Sequence, residues 1–169
     1  MRALIITGKG VQCHELIYPY YRLQEAGFEV DLAAPGAQRF TTFRGIEFVP
    51  NMGLWPLDQP WNLVVIPGGV KCMEHLRLEE KAVQFVKDFH DSGGIVASIC
   101  SGAQMLISAG LCLKRMISCY PAMRVDVENA GGTFHAGPAV ADNRIVTAPH
   151  YRNLGDWMAL TLKEVARYA

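Results

Sequence analysis

Five short blocks of consecutive apolar residues, separated by longer stretches of helical periodicity, constrain this chain more than any other feature. Leu4-Ile5-Ile6, Val30-Asp31-Leu32-Ala33, Leu63-Val64-Val65-Ile66, Ile95-Val96-Ala97-Ser98-Ile99 and Ile145-Val146-Thr147 are largely apolar at successive positions. That suits strands covered on both faces, as in a parallel sheet. Leu16, Ile17, Tyr20 and Leu23 recur at helical spacing and end near Gly27; Ala82, Phe85, Val86 and Phe89 mark a second helix, and Leu154, Trp157, Met158, Thr161 and Val165 a C-terminal one. Strand alternating with helix predicts an α/β fold, a doubly wound and mostly parallel sheet sandwiched between helices. Residues 36–61 break the pattern with Pro50, Pro56, Pro60 and two Trp, and read as a loop or small hairpin excursion. A single domain over residues 1–169 is expected, because a chain of that length buries roughly 70 % of its unfolded surface without staples.

Composition narrows the class. Half the residues are hydrophobic and 19 % charged, which excludes a disordered chain. Sixteen basic residues balance sixteen acidic ones, and no like-charge run exceeds Glu79-Glu80, so neither nucleic acid nor an anionic membrane is an expected partner. No stretch approaches the roughly 20 apolar residues of a membrane span, and Met1–Thr7 reads as a strand rather than a signal peptide. Five cysteines without paired close spacing point to a reducing cytoplasm.

In open α/β sheets, ligands sit beyond the carboxyl ends of the strands. There the strongest chemical signal is Ser98-Ile99-Cys100-Ser101-Gly102, where a buried-looking strand stops at Cys100 and a helix of small residues begins. Small residues two before and two after Cys100 permit a sharp turn, the form of a nucleophile elbow with sulfur in place of oxygen. Free N–H groups at the helix start favour thiolate over thiol. The bland alternative is a small core cysteine. Glu15 opens the first helix after the loop Gly8-Lys9-Gly10-Val11-Gln12-Cys13-His14, which puts a carboxyl near Cys100. It is either a dipole-stabilising residue or a proton donor and acceptor for the sulfur. Gly8-x-Gly10 lacks the third glycine of a dinucleotide fingerprint.

Met1 to Pro19, Val64-Val65-Ile66-Pro67-Gly68-Gly69, Leu78 to Val83, Ala97 to Gly102 and Ser118-Cys119-Tyr120-Pro121 together resemble the ThiJ/PfpI superfamily, the DJ-one group, at PfpI-like length. The resemblance implies a flavodoxin-like sandwich, a reactive Cys100 in a strained elbow, and Glu15 hydrogen-bonded to its sulfur. It places Gly68, Gly69 and Tyr120 around the oxyanion region and pocket, and it implies a homodimer or higher oligomer with Glu74 as a possible intersubunit residue. In the peptidase-like branch a histidine follows the cysteine; here Ser101 stands there, so that triad does not carry over. The hydroxyl is closer to isonitrile hydratases, which usually hold an aspartate at the position of Glu15.

His150, just past the last strand, is the histidine placed to reach the rim of Cys100, whereas His90 and His135 read as surface residues. Cys72-x-x-His75 with Cys13-His14 lacks the regular paired spacing of a zinc site, and neither metal nor organic cofactor is expected. The leading expectation, with the activities that the resemblance implies, is an enzyme acting on a small-molecule electrophile, a reactive aldehyde in a glyoxalase- or deglycase-like reaction or an isonitrile in a hydratase-like one. Cys100 is its nucleophile, Glu15 moves the proton, and Ser101 and His150 complete the catalytic set. The alternatives are a redox-responsive or chaperone-like protein that senses oxidation at Cys100 and, further off, a peptidase.

Overall fold

All five apolar blocks become neighbouring parallel strands in the computed structural model, which describes residues 1–169. They are β1 (Arg2–Ile6), β2 (Glu29–Ala33), β5 (Leu63–Ile66), β6 (Ile95–Ile99) and β10 (Ile145–Ala148). Their order is β2-β1-β5-β6-β10, with the short β9 (Val140–Asp142) antiparallel at the β10 edge. Every residue of β5 and β10, and every residue of β1 after Arg2, is fully buried. This explains the unbroken apolar runs, since both faces of each strand are covered. The chain steps from β1 outward to β2, then returns to the other side of β1 to lay down β5. That reversal opens the crevice in which ligands of doubly wound sheets are found.

Six helices cover the sheet: α1 (Cys13–Glu25), α2 (Val70–Leu76), α3 (Glu80–Asp91), α4 (Ala103–Ser108), α5 (Arg124–Asn129) and α6 (Leu154–Tyr168). α1 packs beside α6, while α4 touches α2, α3 and α5. The helices expected from periodicity are α1, α3 and α6. Those without a sequence signal, α2 and α5, run for only seven and six residues, too short to display a repeating apolar face. The two-residue strands β7 (Met116–Ile117) and β8 (Thr133–Phe134) escape detection for the same reason. None of the helices is long and apolar enough to cross a membrane.

The excursion at 36–61 is a small hairpin, as expected. β3 (Phe40–Thr41) pairs antiparallel with β4 (Glu47–Phe48), and Phe40 stacks on Phe48 at 6.1 Å. Asp31 on β2 fastens its far end. The carboxylate accepts Trp61 Nε1 at 2.7 Å, Arg2 Nη2 at 2.8 Å and Asn51 Nδ2 at 2.9 Å. Partial burial works against the Asp31 charge, but the hydrogen bonds of Trp61 and Asn51 and the Arg2 guanidinium outweigh it and hold its carboxyl below the usual range.

His90 departs from expectation. It is buried at 6 % exposure, because its ring Nε2 donates to the carbonyl of Asn143 at 2.9 Å across the turn between β9 and β10. His135 is half-buried.

Asp31→Ala should cost about 2–3 kcal/mol of stability in urea unfolding, because Arg2 and Trp61 lose a charged acceptor together. The deficit should begin to shrink as the pH falls through about 4, where the unfolded carboxyl takes up its proton, and should keep shrinking until the folded carboxyl, held lower, is protonated as well. A deficit unchanged down to pH 2.5 would count against this account.

Candidate active site

Four loops meet at the carboxyl edge of the sheet: 7–12 after β1, 67–69 after β5, 100–102 after β6 and 149–153 after β10. The third carries the elbow. Ile99 is extended, Cys100 turns back with φ +58°, and residues Cys100–Gly102 form a single 3-10 turn that runs into α4. A non-glycine residue held in the left-handed region stores strain on the order of 1–2 kcal/mol. The turn is possible because Gly102 has no side chain: a Cβ there would lie 2.6 Å from the Ile66 carbonyl oxygen and 2.7 Å from Ser98 Oγ. The small-x-Cys-x-Gly spacing therefore has a steric cause, and the elbow read from sequence is present.

Glu15 sits in the first turn of α1 with no exposed surface. Its Oε2 accepts the Gly68 N–H at 2.8 Å, the Cys100 thiol is its side-chain hydrogen-bonding neighbour, and Oε1 meets no N–H or O–H donor. Gly68 separates the two groups as closely as backbone allows. A Cβ there would lie 2.5 Å from Glu15 Oε2 and 3.0 Å from Cys100 Cβ. Burial raises the Glu15 pKa to about 7, against the smaller opposing effects of the Gly68 and Cys100 hydrogen bonds. An ionised carboxylate with one bare oxygen is costly in such surroundings, and protonation relieves it.

The sulfur does not behave as the helix-end argument alone expects. Burial pushes the Cys100 thiol up, and the Glu15 charge pushes it further; the N–H and hydroxyl of Ser101 pull the other way and lose. α4 is only six residues long, so its dipole is small against a carboxylate in contact. The pair therefore titrates as a unit. The first negative charge falls on the carboxyl, and it resists a second on the sulfur.

Ser101 is buried beside the sulfur. Its Oγ accepts the Gly69 N–H at 2.8 Å, which leaves the hydroxyl proton for Cys100. The same contacts correct the expected roles of Gly68 and Gly69. Both backbone N–H groups are already taken, by Glu15 and by Ser101, so neither is free to stabilise an oxyanion. The Tyr120 N–H is likewise committed, to the Cys100 carbonyl at 3.2 Å.

Cys100, half-buried, opens into a cleft of ≈ 540 Å³ walled by Gly69, Ser101, Tyr120, His150 and Phe43. The expected His150 is thus beside the sulfur's cleft. Its ring lies 3.9 Å from that of Tyr151, which in turn stacks on His14 at 5.2 Å. His150 Nδ1 accepts the Arg152 N–H at 3.3 Å, so the proton sits on Nε2; burial and the Arg152 charge lower its pKa and keep the ring neutral. Glu74 is exposed at the cleft's edge and also lines a groove shared with Arg77 and Gln104. Phe43 and Lys71 also wall the cleft without having been singled out in the sequence. Phe43 belongs to the hairpin excursion, where no strand pattern exists to locate it. Of the residues that invite a metal reading, the two cysteines are otherwise disposed: the Cys13 thiol donates to Thr42 Oγ1 at 3.1 Å, and burial pushes the Cys72 thiol up to about 12.

A model described as the DJ-1/PfpI family matches residues 1–164. The chain belongs to that family. It is 36 % identical over 159 residues to Deglycase TK1284 of Thermococcus kodakarensis, covering 94 % of this chain and 95 % of the relative. Identity to Deglycase PfpI of Pyrococcus furiosus is 34 % over 159 residues, with the same coverage. Among solved structures, a two-domain protein from Anabaena variabilis with DJ-1/ThiJ/PfpI-like and ferritin-like domains matches with a TM-score of 0.93 at 25 % identity, over 98 % of this chain and 48 % of that one. This chain spans about half of that protein. The mostly parallel sheet flanked by helices is the flavodoxin-like fold of the DJ-1/PfpI family.

Because Glu15 holds its proton to about pH 7 when folded and to 4.5 ordinarily, folding is favoured by protonation. The stability is full below pH 4.5, declines as the pH rises to 7, and levels off above. Glu15→Gln keeps an acceptor for Gly68 and removes that decline. It should match the wild type at pH 4 and exceed it by about 2–3 kcal/mol at pH 8 in urea unfolding. A pH-independent difference would contradict the assignment.

Proposed function

We propose that this DJ-1/PfpI protein is a cysteine-dependent enzyme of the deglycase type, acting on reactive small aldehydes and their adducts. One arrangement carries the reading: the half-buried Cys100 thiol lies against the buried Glu15 carboxyl, whose pKa burial raises to about 7, at the mouth of a cleft of ≈ 540 Å³. The deglycase names of relatives that match 94 % of this chain supply the substrate class.

The chemistry follows from the pair. Ionised Glu15 takes the thiol proton as Sγ bonds to an aldehyde carbon. The carbonyl π electrons move to oxygen, which receives the proton back and completes a neutral hemithioacetal. With a 2-oxoaldehyde, hydrogen then passes from that carbon to the neighbouring ketone carbon while the hydroxyl proton moves to the former ketone oxygen. This leaves a 2-hydroxyacyl thioester that water cleaves to a hydroxy acid and free Cys100. The carbon oxidised and the carbon reduced belong to one molecule, so no external acceptor is required. On an aldehyde–amine adduct, sulfur replaces the amine, which departs with the thiol proton. Ser101 holds the sulfur in line through its link to Gly69, and the neutral His150 provides an N–H donor in the cleft wall. Removing the proton acceptor in such a pair typically costs 10²–10⁴-fold.

Cys100→Ala should lose methylglyoxal turnover by more than about 10³-fold while the circular dichroism spectrum is kept. In the wild type kcat/KM should climb about tenfold per pH unit up to about pH 7 and then flatten, as Glu15 ionises. Glu15→Gln should lack that limb and fall by about 10²-fold or more. Undiminished turnover in Cys100→Ala would end the proposal.

A further inference from the structure

The Cys100 cleft does not stop at its own walls. Gly10, Phe43 and Lys71 also line a second compartment of ≈ 590 Å³, so the two spaces adjoin along those residues. The character of the second compartment is one-sided. Its titratable side chains with basic nitrogen are Lys9, Lys71 and His75, and no Asp or Glu lines it. Neither Lys9 nor Lys71 enters an ion pair, although the chain has equal numbers of acids and bases. The nearest acid on the same helix, Glu74, belongs to the Cys100 cleft and the groove beside Arg77 instead. On α2, Lys71 and His75 are one turn apart and share a face. The His75 Nδ1–H donates to the Lys71 carbonyl at 2.7 Å, which fixes the ring and leaves Nε2 available. Thr41 and Thr42 line the same compartment. The Thr42 hydroxyl oxygen accepts from Cys13 and from the Ile46 N–H, so its own proton is free to donate.

Two unpaired ammonium groups and a hydroxyl donor, with no carboxylate among them, select for negative charge. Because the compartment shares walls with the Cys100 cleft, a ligand engaged at the sulfur can extend its far end there. Resting on the proposed carbonyl chemistry, we propose that the preferred substrates are aldehydes bearing a phosphate or carboxylate, with the carbonyl at Cys100 and the anion between Lys9 and Lys71. The exposed Phe43 ring, standing between the two spaces, covers the hydrocarbon that joins them.

Three 2-oxoaldehydes test this: methylglyoxal, which carries no charge, hydroxypyruvaldehyde phosphate and 4,5-dioxopentanoate. At low ionic strength, kcat/KM for at least one anionic compound should exceed that for methylglyoxal by about tenfold or more, and the better of the two names the anion. The ratio of anionic to neutral kcat/KM should fall to about unity in Lys9→Met and Lys71→Met and should shrink in 0.5 M salt. Anionic compounds no better than methylglyoxal, or a preference that survives both substitutions, would overturn the inference. If none of the three is consumed, the catalytic reading fails and the anion compartment is judged by protection. Cys13, Cys72, Cys112 and Cys119 are at most 3 % exposed, so iodoacetamide should report on Cys100. Glycerol 3-phosphate or glutarate should then slow its alkylation in the wild type and not in Lys9→Met. No protection in the wild type by either anion would overturn the inference on that route.

Discussion

A single buried contact organises the functional end of this molecule: the carboxyl of Glu15 lodged between the Gly68 N–H and the Cys100 thiol. It joins three chain segments far apart in sequence, the start of α1, the turn after β5 and the turn after β6. Each of the three is specialised to permit it. α1 begins soon enough after β1 for its first turn to overhang the sheet edge, residue 68 has no side chain to keep oxygen and sulfur apart, and the chain reverses at Cys100 within one residue. Burial then gives the contact its chemical character. In water the carboxyl would be a permanent anion and the thiol an inert neutral group. Once both are withdrawn from water, the carboxyl becomes a group that takes up and releases a proton near neutrality, beside a thiol kept neutral until that carboxyl accepts its proton.

Much of this was legible in the sequence, and the reason is steric. Strands buried on both faces must be apolar throughout, so β1, β5, β6 and β10 announce themselves, and the carboxyl ends of those strands mark where chemistry is found. The elbow is legible because only glycine fits at residue 102, against the Ile66 carbonyl. What stayed hidden depends on contacts between segments. That the Gly68 and Gly69 amides are already engaged follows from where Glu15 and Ser101 point, which no local pattern encodes. The burial of His90 depends on a carbonyl 53 residues away. The sign of the Cys100 shift turns on a competition between a short helix and a touching carboxylate. Sequence names both contestants without their separation.

The excursion between β2 and β5 shows how specificity is added to such a scaffold. Its far end is moored by Asp31 to the edge of the sheet, while its tip carries Phe43 to the cleft and Thr41 and Thr42 to the basic compartment. The reacting groups belong to the sheet and its tightest turns, whereas the hairpin anchors itself in the core through Phe40 and turns the exposed Phe43 at its tip toward the cleft. Changes in the hairpin can therefore redirect the choice of substrate while the reacting pair stays as it is.

The backbone at residue 100 carries one more implication. Its torsion angle is one that glycine adopts freely and cysteine resists, so the bare chain would be more comfortable with the whole side chain, Cβ included, deleted. Thermodynamic pressure at that position runs toward glycine, and chemistry alone opposes it. A lineage that ceased to need the reaction would be expected to relax there first, which makes the identity of this one residue a readout of whether the protein is still at work.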